Sequence, residues 1–445
     1  MHGLSRRAGE QRSAFAPCRI GINLLWLGPE SGGAFQYARD FVRDLLSRDS
    51  ANEYVVFVED AATLPVAYDP RRVTIVRVGT ASSRSIGVRL RALWHLAWLL
   101  VVLPGPHRPR PDGFRARLRA RHALLRLWLR SHFYSALGSC PVFSRSRLDL
   151  LIQPAHGWGA LFSGVCYLAV IHDFPPQWSR ELRERLGREH VRYADAMQRA
   201  VSSTAEAVFV DSDLGKLQLQ EAYGVPTDRV HVLPFRPPSY INPDVSREKV
   251  EQVLRKHRIP GRYVFYPAGI QPHKNHLALM TALAALRDHR KVSIPCVLLG
   301  HAGSAMEALR ARIHELRLDA QVHYLGYVED DDVSALYRSA AALVMPTLIG
   351  PTNIPVVEAF KMGCPVVCSR VPDFEQQIGD AGVLVDPSST EDLAQAIYRV
   401  WTDESLREEL IERGRRRVSS VIATDYGERI LATVQQALTG LSRRS

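Results

Sequence analysis

Glu358, Lys274 and His172 are the residues of this chain whose types and surroundings could do chemistry. Glu358 lies in the stretch MPTLIGPTNIPVVEAFKMGCPVV, residues 345–367. An apolar run at 341–345 enters a Gly/Pro/Thr/Asn turn, a helix with one acid near its start follows, and a second apolar run begins at Val366. In a strand, loop, helix, strand unit the first amide N–H groups of the helix have no partner inside it, so they face the loop as a seat for phosphate. Pro355 suits the first helical turn, where its missing N–H costs nothing, and Asn353 or Thr352 can cap. This spacing puts Glu358 about one turn in, at the mouth of the seat.

Lys274 follows the apolar run 263–268 within YPAGIQPHKNH, residues 266–276, where a strand hands over to a helix. A lysine there can neutralise a diphosphate as a compact point charge. His172 and Asp173 close the apolar run 166–171. A histidine at a strand end can donate to a sugar hydroxyl or a leaving oxygen near neutral pH. Gly32 and Gly33, after the first apolar run, allow a backbone to approach a ligand or simply make a turn. Tyr327 follows the run ending at Leu325; a turn aromatic of this kind can equally cover the core. The chain has no GxxxxGK[ST], HExxH or GxSxG, which removes the footing for P-loop hydrolysis, zinc proteolysis and the usual serine-hydrolase chemistry.

The elements that must position these residues alternate. Strand-like runs at 18–25, 54–58, 73–78, 148–152, 166–171 and 207–210 are interleaved with helical patterns at 34–46 and 179–200. Residues 233–261 hold Pro234, Pro237, Pro238, Pro243 and Pro260 and read as an interdomain connection. The alternation restarts at 263–268, 295–299, 322–325, 341–345, 366–369 and 382–385, and a last helix covers 426–441. Such alternation implies α/β folding, with parallel sheets wrapped by helices. Two Rossmann-like domains facing a central cleft are expected, with ligands at the carboxyl ends of the strands. The expected divisions are a disordered tail at 1–17, a first domain at 18–233, a linker at 234–261, a second domain at 262–425 and a terminal segment at 426–445.

The 345–367 segment resembles the donor-binding motif of family 4 glycosyltransferases, a retaining group with the GT-B fold, in its Gly-Pro-Thr-Asn loop variant. The resemblance implies that Glu358 binds the ribose of a nucleotide sugar, with the Thr352, Asn353 and Ile354 backbone holding phosphate and sugar. It implies Lys274 on the pyrophosphate, Tyr327 against the nucleobase, Gly33 in the loop over the phosphates, and His172 beside the donor sugar. His172 and Glu358 are then the catalytic pair, with no metal and no cofactor beyond the donor substrate. The terminal helix should cross back to the first domain. Two positions depart from the family: Gly350 stands where an acid is usual, and Gly269 where many members have an arginine. The activity implied is a hexosyltransferase that moves a sugar, from GDP-mannose or a UDP-hexose, to a growing lipid-linked glycan. A nucleotide-sugar epimerase of the same fold and a non-catalytic binding protein are the rivals; Gly350 and Gly269 favour the second.

Length and composition suit this reading: 445 residues allow two or three domains, and 46% hydrophobic with 23% charged residues is ordinary for a globular chain. Six cysteines without paired metal spacing fit a reducing cytoplasm, and Cys364 and Cys368 are expected to be buried small side chains. Charge is concentrated. Residues 84–147 hold thirteen arginines, no lysine and one acid, Asp112, so this insertion carries +12 of an overall +11. Its arginines are interleaved with Leu118, Leu125, Trp128, Leu129 and Phe133, as in a basic amphipathic helix lying in a headgroup plane. Each arginine near anionic lipid is worth about 1 kcal/mol. The expectation is peripheral attachment to the inner face of a membrane, with RNA binding as the competing use of the arginines.

Overall fold

The computed structural model describes residues 17–25, 27, 32–59, 66–78, 142–155, 157, 159–161, 163–172, 188–259, 261–348 and 353–443. Two wholly parallel sheets organise the chain. The first runs β3-β2-β1-β4-β5-β6-β7, from strands β1 (Arg19–Asn23), β2 (Glu53–Val58), β3 (Val73–Arg77), β4 (Leu150–Gln153), β5 (Tyr167–Val170), β6 (Ala207–Val210) and β7 (Val230–Val232). The second runs β10-β9-β8-β11-β12-β13, from β8 (Tyr263–Pro267), β9 (Cys296–Leu299), β10 (Val322–Tyr324), β11 (Ala340–Met345), β12 (Val366–Ser369) and β13 (Gly382–Val385). Their continuous apolar composition has a direct cause: β4, β5, β6, β9 and β12 are buried at every position, as strands covered on both faces must be.

Sheet order places the chemistry. In the second sheet the chain starts at β8, moves outward to β10 and returns to β11 beside β8. That return is a topological switch point, where the loops after two adjacent strands part and leave a crevice. Lys274 follows β8 and Glu358 follows β11, so the two residues flank it. In the first sheet the switch lies between β1 and β4, with Gly33 after β1 and His172 after β5.

The domains are joined by more than the proline-rich segment. Helix Tyr426–Ser442 buries Tyr426, Ile430, Val434 and Ala437 in the first domain's core, with Phe41, Val42 and Leu45 of helix Gly33–Arg48. Gly427 lets the two helices touch: a Cβ there would stand 2.3 Å from Arg48 Cγ. The connection is not all loop, since it carries helix Arg247–Lys256. Buried Asp332 fastens it to the second domain, accepting from Lys249 Nζ at 2.8 Å and Lys256 Nζ at 2.6 Å.

Other boundaries shift for identifiable reasons. Strand β7 has three residues, too short for an alternating pattern to show before the prolines begin. Helix Arg188–Thr204 continues past Ala200 because Ser202, Ser203 and Thr204 turn their hydroxyls onto carbonyls four residues back, masking a polar run that reads as a turn. Its expected start at 179 lies outside the described residues, as do residues 1–16 of the tail and 84–141 of the basic insertion. Residues 142–147, at the insertion's end, belong instead to the first domain: Phe143 is fully buried, edge-on to Phe57 at 4.8 Å. Among the described residues no helix is long and apolar enough to cross a membrane.

Candidate functional site

On the β8 side, Pro272–Lys274 forms a single 3-10 turn, ended by Asn275 in the left-handed conformation at φ 57°. Asn275 Nδ2 donates to the carbonyls of Pro346 at 3.0 Å and Pro387 at 3.1 Å. Thr347 Oγ1 and the Leu348 amide both donate to His273 O, at 3.0 and 2.8 Å. Tyr266 Oη donates to Lys274 O at 2.8 Å. The lysine's loop is therefore bolted to the loop after β11 that leads to Glu358. Asn275→Ala is expected to destabilise the protein by about 2 kcal/mol, because it leaves two carbonyls without a donor and strains a left-handed backbone. Denaturant midpoints check this, and Asn275→Gly should recover only the backbone share. Equal stability of the alanine variant would show that Asn275 holds nothing.

Half-buried Lys274 also acts on its neighbour. His276, buried and stacked on Tyr266 at 4.6 Å, is pushed down to about 3 by burial first and by the charges of Lys274 and His273 second, so it stays neutral. Gly269 has a steric reason here: a Cβ would lie 2.5 Å from His301 Cε1, so the imidazole fills the space a larger residue would need.

On the β11 side, helix Ile354–Met362 carries Pro355 in its first turn. Asn353 stands at the N-cap, but its side chain makes no capping bond. The clamp comes from Gln377, whose amide accepts from Asn353 N and donates to Asn353 O, each at 2.9 Å. Asn353 Nδ2 is buried without a partner among the described residues, at the helix end where an anion would sit. Thr352 and Gly350 lie outside the described residues.

Glu358 is not at the mouth of the seat. It is 3% exposed, and its carboxylate accepts from two tyrosines, Tyr240 on Oε1 and Tyr337 on Oε2 at 2.6 Å. Helix Ile354–Met362 is apolar on nearly all sides, so its acid lands on a covered face, against helix Asp330–Ser339. Burial raises the Glu358 pKa; the two tyrosine bonds pull it down and Asp330 pushes it up. Tyr337 reads from the sequence as an ordinary core aromatic, and Tyr240 sits in the proline-rich connection where no periodicity signals it.

The first domain closes over this point. Arg39 Nη1 pairs with Asp330 Oδ2 at 3.1 Å, and the Arg39 guanidinium lies 5.7 Å from the centre of the Tyr240 ring. Tyr327, following left-handed Gly326, is 70% exposed at the rim, in the field of Asp330, Glu329 and Arg39. Gly33 opens helix Gly33–Arg48, and a Cβ on it would be 3.4 Å from Ile354 Cδ1. Two helix N-termini, one per domain, thus meet across the cleft, each carrying about half a positive charge. His172 lies between Tyr37 and Phe235, ring centres 4.8 and 5.0 Å away. Asp173 lies outside the described residues. The fold thus brings Gly33 against Ile354, fastens the Lys274 loop to the loop after β11, leaves Tyr327 exposed, sets His172 between Tyr37 and Phe235, and buries Glu358 behind the start of its helix. Helix ends and a lysine can seat a dianion; the carboxylate behind them is taken up by two tyrosines.

Comparison with known proteins bears on the family and the fold. Residues 250–417 match the family model described as glycosyl transferases group 1. The chain is 28% identical over 228 residues to an O-antigen chain mannosyltransferase B of Escherichia coli, covering 51% of this chain and 60% of that protein. It is 26% identical over 246 residues to the serotype-specific mannosyltransferase WbdA of the same species, covering 55% of this chain and 30% of the relative. The chain therefore spans under two thirds of either relative. Among solved structures, Anabaena HepE with UDP and glucose superposes with a TM-score of 0.64 at 17% identity, over 94% of this chain and all of that one. At that identity the likeness establishes the fold, the two-domain GT-B arrangement.

Proposed function

We propose that this protein, whose residues 250–417 match the model of the group 1 glycosyl transferases and whose fold is GT-B, is a retaining glycosyltransferase that moves a hexosyl group from a nucleotide sugar to a growing glycan. The observation that carries the reading is the meeting of the Gly33 and Ile354 helix ends beside the Lys274 loop at the switch point. Charge builds on the departing diphosphate as the glycosidic bond breaks, and preorganised amides and a lysine stabilise it without reorganisation. Glu358 takes a ribose hydroxyl on Oε1 in place of Tyr240, Tyr337 keeps its place on Oε2, and His172 faces the sugar. The residues present fit a diphosphate without a metal, since amides and Lys274 supply the countercharge. Mannose is the sugar favoured, because the two curated relatives are named mannosyltransferases.

Purified protein incubated with a panel of labelled nucleotide sugars and membrane lipid extract tests the reading. Label should pass from one donor, GDP-mannose first, into the lipid or glycan fraction. Release of an isomerised free sugar would favour the epimerase, and nucleotide binding without turnover the non-catalytic protein.

The acceptor is proposed to be lipid-linked, on the strength of the arginine-rich segment 84–147 in the sequence. Arg119, Arg126 and Arg130 changed together to Glu should abolish binding to anionic vesicles, and salt should weaken binding of the unaltered protein by screening. Transfer to a soluble acceptor analogue should survive. Vesicle binding that persists in the triple variant would remove the membrane role.

A further inference from the structure

Asp211 follows β6 directly and is 1% exposed, a buried carboxylate one strand over from His172. Its Oδ2 stands 3.9 Å from His172 Nδ1, an ion-pair separation rather than a hydrogen bond. Nδ1 is itself shut away from solvent, and the imidazole is held edge-on by Tyr37 and tilted against Phe235. The ring therefore has little freedom to turn, and the atom facing the carboxylate is fixed. Nothing in the 207–213 sequence marks this aspartate, which reads as one of several acids before a helix.

We propose that Asp211 is a positioning residue for His172: it holds the proton of the neutral imidazole on Nδ1 and leaves Nε2, on the far side of the ring, as the atom offered to the sugar. A negative charge beside Nδ1 favours a proton on that nitrogen and makes the whole ring more basic. In the neutral ring Nε2 accepts from a hydroxyl; in the protonated ring it donates. The inference rests on the glycosyltransferase reading for its purpose, but not for its evidence.

Other described groups lie around Asp211. Tyr37 on helix Gly33–Arg48 and Tyr426 on helix Tyr426–Ser442 also face it, and burial keeps both tyrosines protonated. Arg236 of the connection lies near both, but it pairs with Asp44. Ser212, next in sequence, is spent as the cap of helix Asp213–Tyr223, accepting from Gly215 N at 2.9 Å.

The test is nitrogen NMR on the full chain labelled at histidine, with His172→Gln identifying the His172 signals among sixteen histidines. In the unaltered protein His172 is expected as the Nδ1–H tautomer when neutral. In Asp211→Asn, which keeps an acceptor but drops the charge, its proton affinity should fall about tenfold. The acidic limb of the transfer rate should then move down by about one pH unit, with donor KM unchanged. An Nε2–H tautomer in the unaltered protein overturns the proposal, as does identical titration in Asp211→Asn. If that variant does not fold, the tautomer in the unaltered protein still decides. A protein that transfers no sugar but shows the Nδ1–H tautomer and the tenfold fall would refute the activity while upholding the Asp211–His172 pair.

Discussion

Glu358→Ala is expected to lower transfer efficiency by about a hundredfold, the worth of roughly 3 kcal/mol from a charge-assisted bond to a ribose hydroxyl. Its effect on folding is smaller and has two opposed parts. Truncation leaves Tyr337 Oη, fully buried, with Pro355 O at 3.3 Å as its remaining acceptor, which costs about 1 to 2 kcal/mol. Relief of a desolvated carboxylate offsets some of that. The variant should therefore fold and bind a nucleoside diphosphate weakly. Stability against pH gives an independent check. Burial raises the folded-state pKa of Glu358 above its unfolded value, so the folded form binds more protons between the two. The group's contribution is full below the unfolded value and is lost as pH rises through the folded one. Denaturation curves for the unaltered protein and Glu358→Ala should accordingly converge or cross with rising pH in that window. Normal turnover in the variant would remove Glu358 from the site.

Lys274→Ala should weaken nucleoside diphosphate binding by about thirtyfold to a hundredfold, the loss of one charge-assisted contact of about 2 to 3 kcal/mol. Affinity for the parent nucleoside should hardly change, since only the diphosphate carries the charge that Lys274 meets. The loop itself should persist: its fastening runs through Asn275, Thr347, Leu348 and the backbone of residues 273 and 274, none of which the substitution removes. Lys274→Arg should recover only part of the loss, because a planar fork does not replace a compact ammonium in a seat shaped by backbone amides. Isothermal titration with nucleoside, nucleoside monophosphate and nucleoside diphosphate separates these terms. Equal losses for all three would mean that Lys274 acts through structure.

Both predictions start from residues visible in the sequence, and the reason they were visible is local. Lys274 and Glu358 sit where a buried strand gives way to a helix, and turn chemistry, proline placement and apolar runs all lie within a dozen residues of one another. The same locality made the two parallel sheets legible, because strands covered on both faces read as unbroken apolar runs. What stayed hidden depends on pairings distant in sequence. Tyr240 reaches Glu358 across 118 residues and Arg39 reaches Asp330 across 291, so no periodicity could announce either. Burial of Glu358 has a related cause: a lone acid on helix Ile354–Met362 reads as exposed in the sequence, and helix Asp330–Ser339 covers its face. Asn353, expected as a capping side chain, makes no capping bond; Gln377, a residue with no local signature, clamps its backbone instead.

The interdomain contacts also bear on donor entry. Arg39 and Gln36 hold Asp330, and Tyr240 occupies the Glu358 carboxylate that the ribose is proposed to take. A donor must displace the Tyr240 hydroxyl, exchanging one O–H donor for another at little net cost in hydrogen bonds. Tyr337 stays in place on the other oxygen and keeps the carboxylate aimed.

The central claim is tested most directly by following the reaction stereochemically. Carbon-13 labelled GDP-mannose is incubated with the protein and membrane glycolipid, and the anomeric signal is read by NMR as donor is consumed. The account expects the label to appear in a glycosidic linkage with the donor's own anomeric configuration, and to do so with metal chelated. An inverted linkage, or a label that leaves the nucleotide only as free or isomerised sugar, would contradict it.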